Sequence, residues 1–255
     1  MKAVKPYFFA KPSEKAQNAL KKLKKKYKSY SLEESNVIVV LGGDGSILSL
    51  INKKSYLSKN IYGMNRGTVG FLLNNFSETK LIERIEKAKI YKLNPVLMKV
   101  VDIDKKEYKA LSLNEVSLFR QNRFAANLRV KINNNIKIKK LVCDGILVST
   151  PAGSTAYNLS AHGPILPINS SLLALTPICP FRPRRWKGAL IPEKSKIKLE
   201  VLNFTDRPVS ATAGEVEIRN VKSVEVECSF SKPLKLLFDK EKNLEERIFN
   251  EQFIL

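Results

Sequence analysis

The chain has 255 residues, of which 44% are hydrophobic, and a formal charge of +21 at pH 7. This length allows one large core or two moderate ones, and the charge suits a phosphate-rich partner without identifying the phosphate. The charged start Met1–Pro6 argues against a signal peptide, and no apolar run approaches the roughly 18 residues of a membrane span. We therefore expect a cytoplasmic protein that does not bind membranes.

The first 92 residues alternate between apolar runs typical of buried strands and amphipathic helical segments. Val4–Ala10 predicts a strand, and Ser13 is a plausible N-cap for the lysine-rich helix that follows. Val37–Leu41 is an all-apolar run expected in a parallel sheet covered on both faces. The remaining segments are a helix from Gly45 or Ser46 to Ile51, apolar stretches at Ile61–Gly63 and Gly67–Leu73, and a helix over Ser77–Lys89.

From Tyr91 onward, short Val- and Ile-rich runs separated by turn residues predict an antiparallel β-sandwich. The runs are Val96–Ile103, Tyr108–Leu111, Val116–Phe119, Leu128–Ile132, Ile136–Leu141, Ile197–Leu202, Val209–Ala213 and Val224–Phe230. Leu244–Phe253 predicts a helix that returns to the first lobe. The expected fold is α/β plus all-β, with a Rossmann-like lobe at 1–92 joined by 239–255, and a β-rich lobe at 93–238.

The thiols and the lysine clusters offer no clear site. Cys143, Cys179 and Cys228 are odd in number and lack C-x-x-C spacing, which argues against a disulfide framework and a zinc site. We expect reduced thiols and no metal site of the protein's own. The lysines at 21–26 lie on a helical pattern and are read as a solvated helix face.

A glycine turn with one carboxylate, Gly42-Gly43-Asp44-Gly45-Ser46, follows the buried strand. Its backbone N–H groups make a phosphate site, with Gly42, Gly43, Gly45 and Ser46 as the phosphate-binding residues. The acid would repel phosphate, so it needs another role: accepting a proton from a hydroxyl, holding a ribose hydroxyl, or helping to hold magnesium. An ordinary Gly-Asp-Gly turn is the structural alternative.

A second segment, 144–160, reads D-G-I-L-V-S-T-P-A-G-S-T-A-Y-N-L-S. It opens with a carboxylate at the head of an apolar strand, turns through Thr150–Gly153 and continues in a hydroxyl-rich stretch. Such a surface suits ribose hydroxyls and an adenine edge. A Ser- and Thr-rich helix cap has the same outline, so spacing alone leaves both readings open.

The turn alone resembles the phosphate loops of 6-phosphofructokinases and diacylglycerol-type lipid kinases, which names phosphoryl transfer to a hydroxyl without naming the acceptor. The second segment is more specific, because it resembles the D-G-x-x-x-[SA]-T-P-x-G-S-T-A-Y signature of the NAD kinase family. Asn114-Glu115 matches that family's N-E pair. The resemblance covers nearly the whole chain, including Gly163-Pro164, Thr176–Ile178 and Arg182-Pro183.

The resemblance implies a kinase that moves the γ-phosphoryl group of ATP to the 2′-hydroxyl of the adenosine ribose of NAD, with Mg²⁺ bound on the nucleotide. Asp44 is then the proton acceptor, with Gly45 beside the substrate. Asn114 and Glu115 hold adenosine, and Asp144 with Ala152 contacts the nicotinamide side. The adenine and ribose are lined by Thr155, Ala156, Tyr157, Asn158, Leu159 and Ser160. A homodimer or homotetramer with shared active sites is also implied.

Three features depart from the family pattern or fit no role. His162 replaces a small residue ahead of Gly-Pro, and a lone histidine is more often a packed or surface residue. Ala213-Gly214-Glu215 lacks the acid of an Asp-Gly loop, which puts that loop's contribution in doubt. The basic stretch 182–187 suits phosphate, an interface or a surface loop equally well.

Two other functions stay open at this point. A related G-G-D-G kinase could act on a lipid or sugar hydroxyl. A basic nucleic-acid-binding protein is favoured by net charge alone, and the sequence lacks the interleaved aromatics and motifs of that class, so no nucleic-acid partner is expected.

Overall fold

The computed structural model describes residues 3–52, 56, 58–184, 186–241 and 243–253. The chain divides into two compact units. The α/β unit comprises Met1–Leu93 and Ser231–Arg247, and the β unit comprises Asn94–Phe230 and Ile248–Leu255. The chain re-enters the α/β unit at Ser231, whereas the sequence predicts that this second part begins at residue 239. It leaves the unit again after Arg247.

The strands in chain order are β1 (Pro6–Ala10), β2 (Val37–Gly42), β3 (Asn60–Asn65), β4 (Lys89–Leu93), β5 (Val96–Asp102), β6 (Glu107–Ser112), β7 (Glu115–Arg120), β8 (Ala126–Ile132), β9 (Asn135–Cys143), β10 (Gly145–Ser149), β11 (Leu172–Ile178), β12 (Ala189–Pro192), β13 (Ile197–Leu202), β14 (Val209–Ala213), β15 (Val216–Ile218), β16 (Val221–Cys228) and β17 (Leu234–Phe238). The α-helices among the described residues are α1 (Glu14–Lys26), α2 (Asp44–Leu48), α3 (Leu81–Lys87), α4 (Tyr157–Ser160) and α5 (Leu244–Asn250). Short 3₁₀ turns follow α2 and α5, at Ser49–Asn52 and Glu251–Phe253.

The α/β unit is built on a five-stranded sheet in the order β1-β2-β3-β17-β4. The first four of these strands are parallel, and β4 pairs antiparallel with β17 at one edge. All six residues of β2 are buried, as its apolar sequence predicts for a parallel strand covered on both faces. The carboxyl ends of β1, β2 and β3 therefore lie along one edge, where ligands of such sheets bind.

Helix α1 shows why the lysine-rich segment folds as it does. The Ser13 Oγ accepts a hydrogen bond from the Ala16 N–H at 3.4 Å, which satisfies one free donor of the first turn. Ala16, Ala19 and Leu23 are buried along one face, and the lysines lie on the others. The predicted solvated lysine face and the Ser13 cap are both confirmed.

The β unit is a sandwich of two antiparallel six-stranded sheets. Their orders are β12-β11-β10-β7-β14-β15 and β6-β5-β16-β13-β8-β9. One hydrophobic core takes residues from both sheets, among them Val100, Leu118, Val148 and Leu199. The alternating burial along β5 and β13 is the period-2 pattern on which the sandwich prediction rests.

Two local predictions in the α/β unit differ from the structure. Gly67–Leu73 is a loop, because Gly67 and Gly70 lie at turn positions and Gly70 has a φ of 70°. The helix predicted over Ser77–Lys89 is shorter, since Lys89–Leu93 pairs as a strand with β17. Within the part of the chain that is described, no helix is long and apolar enough to cross a membrane.

Candidate active site

The glycine turn joins β2 to α2, and two of its close contacts require glycine. A Cβ on Gly42 would lie 2.0 Å from the Ser46 Oγ and 2.9 Å from the Ser46 Cβ, so rotating the serine hydroxyl away would not remove the clash. A Cβ on Gly67, in the neighbouring loop, would lie 2.8 Å from the Cα of Gly43. The backbones of the turn and of the loop are therefore in direct contact.

Gly45 is different, because the protein leaves room there. It is exposed, and among the described residues a Cβ at Gly45 would meet only the Lys11 Nζ, at 3.8 Å. Packing does not require this glycine, so its missing side chain keeps the backbone open to a ligand. Lys11 follows β1 and places a cation beside the turn. Lys11 was not predicted as a site residue, although the shared edge of parallel strands is a usable signal.

The Asp44 carboxylate is held by two backbone N–H groups. Its Oδ2 accepts from Phe71 at 2.8 Å and its Oδ1 from Leu72 at 2.7 Å. A carboxylate has about four acceptor positions, so roughly two remain for another partner. The side chain is half-buried, at the start of α2 and beside the exposed Gly45. Asp44 is thus an oriented acceptor with access to solvent.

The loop that supplies these N–H groups is itself fixed on both sides. The Arg66 N–H donates to the Gly42 carbonyl at 2.7 Å, which ties the loop to the glycine turn. The Gly67 N–H donates to the Asn65 Oδ1 at 2.8 Å. At the other end the buried Asn74 amide donates to the carbonyls of Gly63 and Leu237, at 3.0 and 2.9 Å. The loop therefore presents its donors to Asp44 in a fixed geometry.

In the β unit, Asn114 and Glu115 lie against the turn at residues 149–153. The Thr150 N–H donates to the Asn114 carbonyl at 2.8 Å, and the Thr150 hydroxyl to the Leu113 carbonyl at 2.6 Å. A Cβ on Gly153 would lie 2.3 Å from the Asn114 carbonyl oxygen. The predicted N-E pair and the predicted Thr150–Gly153 turn are therefore brought together by direct backbone contact.

Two side-chain oxygens of this pair have unused hydrogen-bonding capacity. Among the described residues, the Asn114 Oδ1 and the Glu115 Oε2 are buried and have no hydrogen-bond partner. Burial raises the pKa of Glu115 to about 7. The pKa of Tyr157 is also raised, first by burial and then by the nearby Glu115. Two buried acceptors without partners, with Tyr157 nearby, suit the amino and hydroxyl donors of a nucleoside.

Glu115 should make the folded chain less stable as the pH rises from about 5 to about 8. Up to about pH 7 the folded state keeps the carboxyl proton, whereas an unfolded Glu, with its ordinary pKa of 4.5, has already lost it. Proton release on unfolding therefore lowers the free energy of unfolding, by about 2–3 kcal/mol across this range. Thermal melts of the apo-protein and of Glu115→Gln should diverge with pH. The exposed Glu215→Gln is the control, and its Tm should depend on pH as that of the parent chain does. If the Tm of Glu115→Gln also followed the parent chain across this range, the prediction would be wrong.

The stretch after the turn contains exposed and internal residues. Ala152 is buried, Tyr157 and Ser160 are exposed, and Thr155, Ala156 and Leu159 are partly buried. Asn158 is fully buried: its Nδ2 donates to the Ser154 and Pro164 carbonyls at 3.1 and 2.9 Å, and its Oδ1 accepts from the Thr176 hydroxyl at 2.7 Å. The Asn158 side chain thus holds the shape of the stretch, and the exposed members around it face solvent.

Asp144 is paired with a residue that the sequence analysis missed. The Arg120 Nε donates to the Asp144 Oδ1 at 2.6 Å, and the Arg120 Nη1 donates to the Asn122 carbonyl at 2.6 Å. Arg120 ends β7, and β7 pairs with β10, which begins directly after Asp144. This cross-strand neighbour is set by sheet register, which the spacing of 24 residues does not reveal.

The three features that depart from the family pattern or fit no role also have defined places. His162 follows α4 with a φ of 60°. Ala213 is fully buried in β14, and the turn between β14 and β15 carries an exposed carboxylate at Glu215. In the basic stretch, Arg182 forms an isolated bridge with Val142 and its guanidinium lies 5.6 Å from the Phe181 ring centroid. The stretch's residue 185 is outside the described residues.

Comparison with known proteins places this geometry in a family. A family model described as ATP-NAD kinase C-terminal domain matches residues 113–236, which include Asn114, Glu115 and the 144–160 segment. The NAD kinase of Hyphomonas neptunium is 48% identical over 246 residues, covering 96% of each chain. The NAD kinase of Caulobacter vibrioides is 48% identical over 238 residues, covering 93% of this chain and 92% of its own.

Two solved structures share the fold. Yeast NADH kinase complexed with NADH has a TM-score of 0.80 at 18% identity, over 99% of this chain and 88% of its own. An NAD kinase from Archaeoglobus fulgidus in complex with ATP has a TM-score of 0.78 at 23% identity, over 97% of this chain and 98% of its own. These likenesses concern the fold, with its α/β and β-rich parts. Together with the relatives that match over nearly their full length, they show that the chain belongs to the NAD kinase family.

Proposed function

We propose that this chain transfers the γ-phosphoryl group of ATP to the 2′-hydroxyl of the adenosine ribose of NAD, giving NADP and ADP. The observation that carries the proposal is the position of Asp44. It lies directly after a glycine turn, and two N–H groups orient its carboxylate while leaving acceptor capacity free. The relatives named NAD kinase support the choice of reaction.

In this mechanism Asp44 accepts the proton of the 2′-hydroxyl. As the ribose oxygen forms its bond to the γ-phosphorus, the bond from that phosphorus to the β,γ-bridging oxygen breaks, and ADP leaves. Phosphoryl transfer depends mainly on positioning and charge neutralisation. The fixed Asp44 contributes to positioning. The backbone of the glycine turn and Lys11 contribute to charge neutralisation.

The phosphate-binding part of the proposal uses Gly42, Gly43, Gly45 and Ser46. The Ser46 Oγ is buried without a hydrogen-bond partner among the described residues, and the exposed Gly45 leaves the backbone accessible. Mg²⁺ fits this site as a companion of the nucleotide, because it is commonly held by substrate phosphates, water and one or two carboxylates. It would neutralise phosphate charge there, with Asp44 as the nearest carboxylate of the turn. The described residues include no group of three or more His, Cys, Asp and Glu able to hold a metal.

The acceptor-binding part uses the β unit. We assign Asn114 and Glu115 to the adenosine of NAD, because their unsatisfied oxygens accept from amino and hydroxyl groups. The exposed and partly buried members of 155–160 line the adenine and ribose, with Tyr157 supplying an exposed ring beside Glu115. The buried Asn158, which the family resemblance places in this set, supports the stretch from within. Asp144 and Ala152 contact the nicotinamide side, where Arg120 holds the Asp144 carboxylate in place.

A cytoplasmic location completes the proposal, and the family resemblance implies a homodimer or homotetramer with shared active sites. Free cysteines are consistent with a reducing compartment. Burial raises the pKa of the Cys143 thiol to about 12, so this residue stays an unreactive thiol at neutral pH.

A coupled assay of NADP formation tests the proposed reaction. With ATP, Mg²⁺ and NAD we expect NADP to accumulate, and parallel reactions with polyphosphate or NADH measure donor and acceptor choice. Labelled ATP offered with lipid or sugar alcohols should transfer no label. Failure to form NADP with every donor, or label transfer to a lipid or sugar in preference to NAD, would overturn the proposal. Salt-sensitive oligonucleotide binding tighter than NAD binding would also contradict it.

A further inference from the structure

Arg247, on α5, reaches the loop that holds Asp44. Its Nη1 lies 2.8 Å from the Phe71 carbonyl oxygen, 3.2 Å from that of Leu73 and 3.3 Å from that of Gly70. Its guanidinium carbon lies 5.8 Å from the centroid of the Phe71 ring. One cationic nitrogen is therefore placed where three carbonyl groups of the same loop converge.

The same peptide groups contact Arg247 and Asp44. The N–H of Phe71 and the carbonyl of Gly70 belong to one peptide unit, and the N–H of Leu72 and the carbonyl of Phe71 belong to the next. In a planar trans peptide the C=O and N–H bonds point in opposite directions. Both units therefore donate to the Asp44 carboxylate on one side and accept from Arg247 on the other.

This arrangement links a positive charge to a negative one through two aligned dipoles. Hydrogen bonds in such a chain polarise one another, so donation by Arg247 strengthens the N–H donors that hold Asp44. Converging carbonyl oxygens repel each other unless a donor lies between them. Arg247 removes that repulsion and favours the loop conformation, including the φ of 70° at Gly70, in which both N–H groups face Asp44.

Helix α5 is anchored so that Arg247 stays in position. Leu244, one turn earlier, is fully buried. The Tyr91 hydroxyl donates to the Asn243 Oδ1 at 3.0 Å, and Lys89 forms an ion pair with Glu245 at 2.8 Å. These contacts lie within the α/β unit and fix the start of the helix against β4.

We propose that Arg247 is a positioning residue for the catalytic Asp44, acting through the Gly70–Phe71 and Phe71–Leu72 peptide groups. The inference rests on the proposed role of Asp44 as proton acceptor. It gives the C-terminal helix a part in catalysis that does not involve contact with substrate.

Kinetics of Arg247→Gln and Arg247→Lys test this role. Glutamine keeps a donor but loses the charge, so we expect kcat to fall about tenfold or more while the KM values for ATP and NAD change less than about threefold. Lysine keeps the charge without the planar guanidinium, so it should recover part of the lost kcat. A rise in KM as large as the fall in kcat, or an unchanged kcat in Arg247→Gln, would overturn the proposal.

A stability control and a spectroscopic measurement complete the test. Lys59→Gln removes a cation that donates to the Glu33 and Ser35 carbonyls, at 3.3 and 2.6 Å, just before β3 in the same unit, so it should lower Tm without lowering the kcat of folded enzyme. If it lowers kcat as much as Arg247→Gln does, the effect is merely structural. The amide proton resonances of Phe71 and Leu72 report the hydrogen bonds to Asp44 directly. They should move upfield in Arg247→Gln, and unchanged resonances would refute the inference even if the parent chain formed no NADP.

Discussion

Replacing Asp44 with Asn should lower kcat for NADP formation by roughly 10²–10⁴-fold, the range expected when a positioned general base is lost. The amide has nearly the same shape but cannot accept the hydroxyl proton. Its NH₂ group also faces an N–H of the loop, so one of the two hydrogen bonds to Phe71 and Leu72 is lost, at a stability cost of about 1 kcal/mol. Stopped assays at saturating ATP and NAD, with Tm measured on the same samples, separate the two effects.

The matched control is Asp104→Asn, which makes the same chemical change at an exposed turn of the β unit. It should leave both kcat and Tm unchanged within error. Near-normal NADP formation by Asp44→Asn would show that this carboxylate is not the proton acceptor. A large fall in Tm for Asp44→Asn would instead identify a structural cap of the loop.

Gly45→Val should nearly abolish use of ATP while the protein stays folded. A Cβ at Gly45 makes only an ordinary contact with Lys11, at 3.8 Å, so the valine side chain points into open space that the proposal assigns to phosphate. Displacing the phosphates by about 1 Å costs on the order of 10²-fold in rate, and we expect at least that loss in kcat/KM for ATP. Initial rates across ATP concentrations, with Tm of the apo-protein, measure both quantities.

The neighbouring glycines provide the contrast for this prediction. The kcat/KM for ATP of Gly45→Ala should lie between that of Gly45→Val and that of the parent chain. Gly67→Ala should instead lower Tm, because its Cβ would lie 2.8 Å from the Gly43 backbone, which cannot move like a flexible side chain. If Gly45→Val retained full kcat/KM for ATP, the turn would not be where the phosphates bind.

Local sequence predicted much of the fold because the signals are local. The apolar run of β2, the Ser13 cap and the apolar face of α1 each depend on residues within a few positions of one another. The edge of the first sheet could not be predicted in the same way. Strand β4 pairs with β17, and Leu93 opposes Leu234 across more than half of the chain, so neither run carries a signal for the other.

The same difference between local and long-range signals applies to the candidate site. The turn around Asp44 and the pair Asn114-Glu115 were identified from motif spacing and family resemblance. Their roles in binding and catalysis stay predictions. The loop that orients Asp44 was not identified, because its contribution is backbone N–H groups, and any residue other than proline supplies one. Arg120 was missed because only the register of β7 against β10 brings it to Asp144.

The amino-acid sequence alone was enough to predict an α/β part followed by a β-sandwich, a phosphate turn and the family to which the chain belongs, since each depends on periodicity or a contiguous motif. Tertiary structure decided which groups surround those motifs. Asp44 and Arg247 lie far apart in the sequence. They contact the same two peptide groups only because the strand order of the first sheet and the anchoring of α5 bring them together. Such contacts depend on the three-dimensional path of the backbone, and separation along the chain does not encode that path.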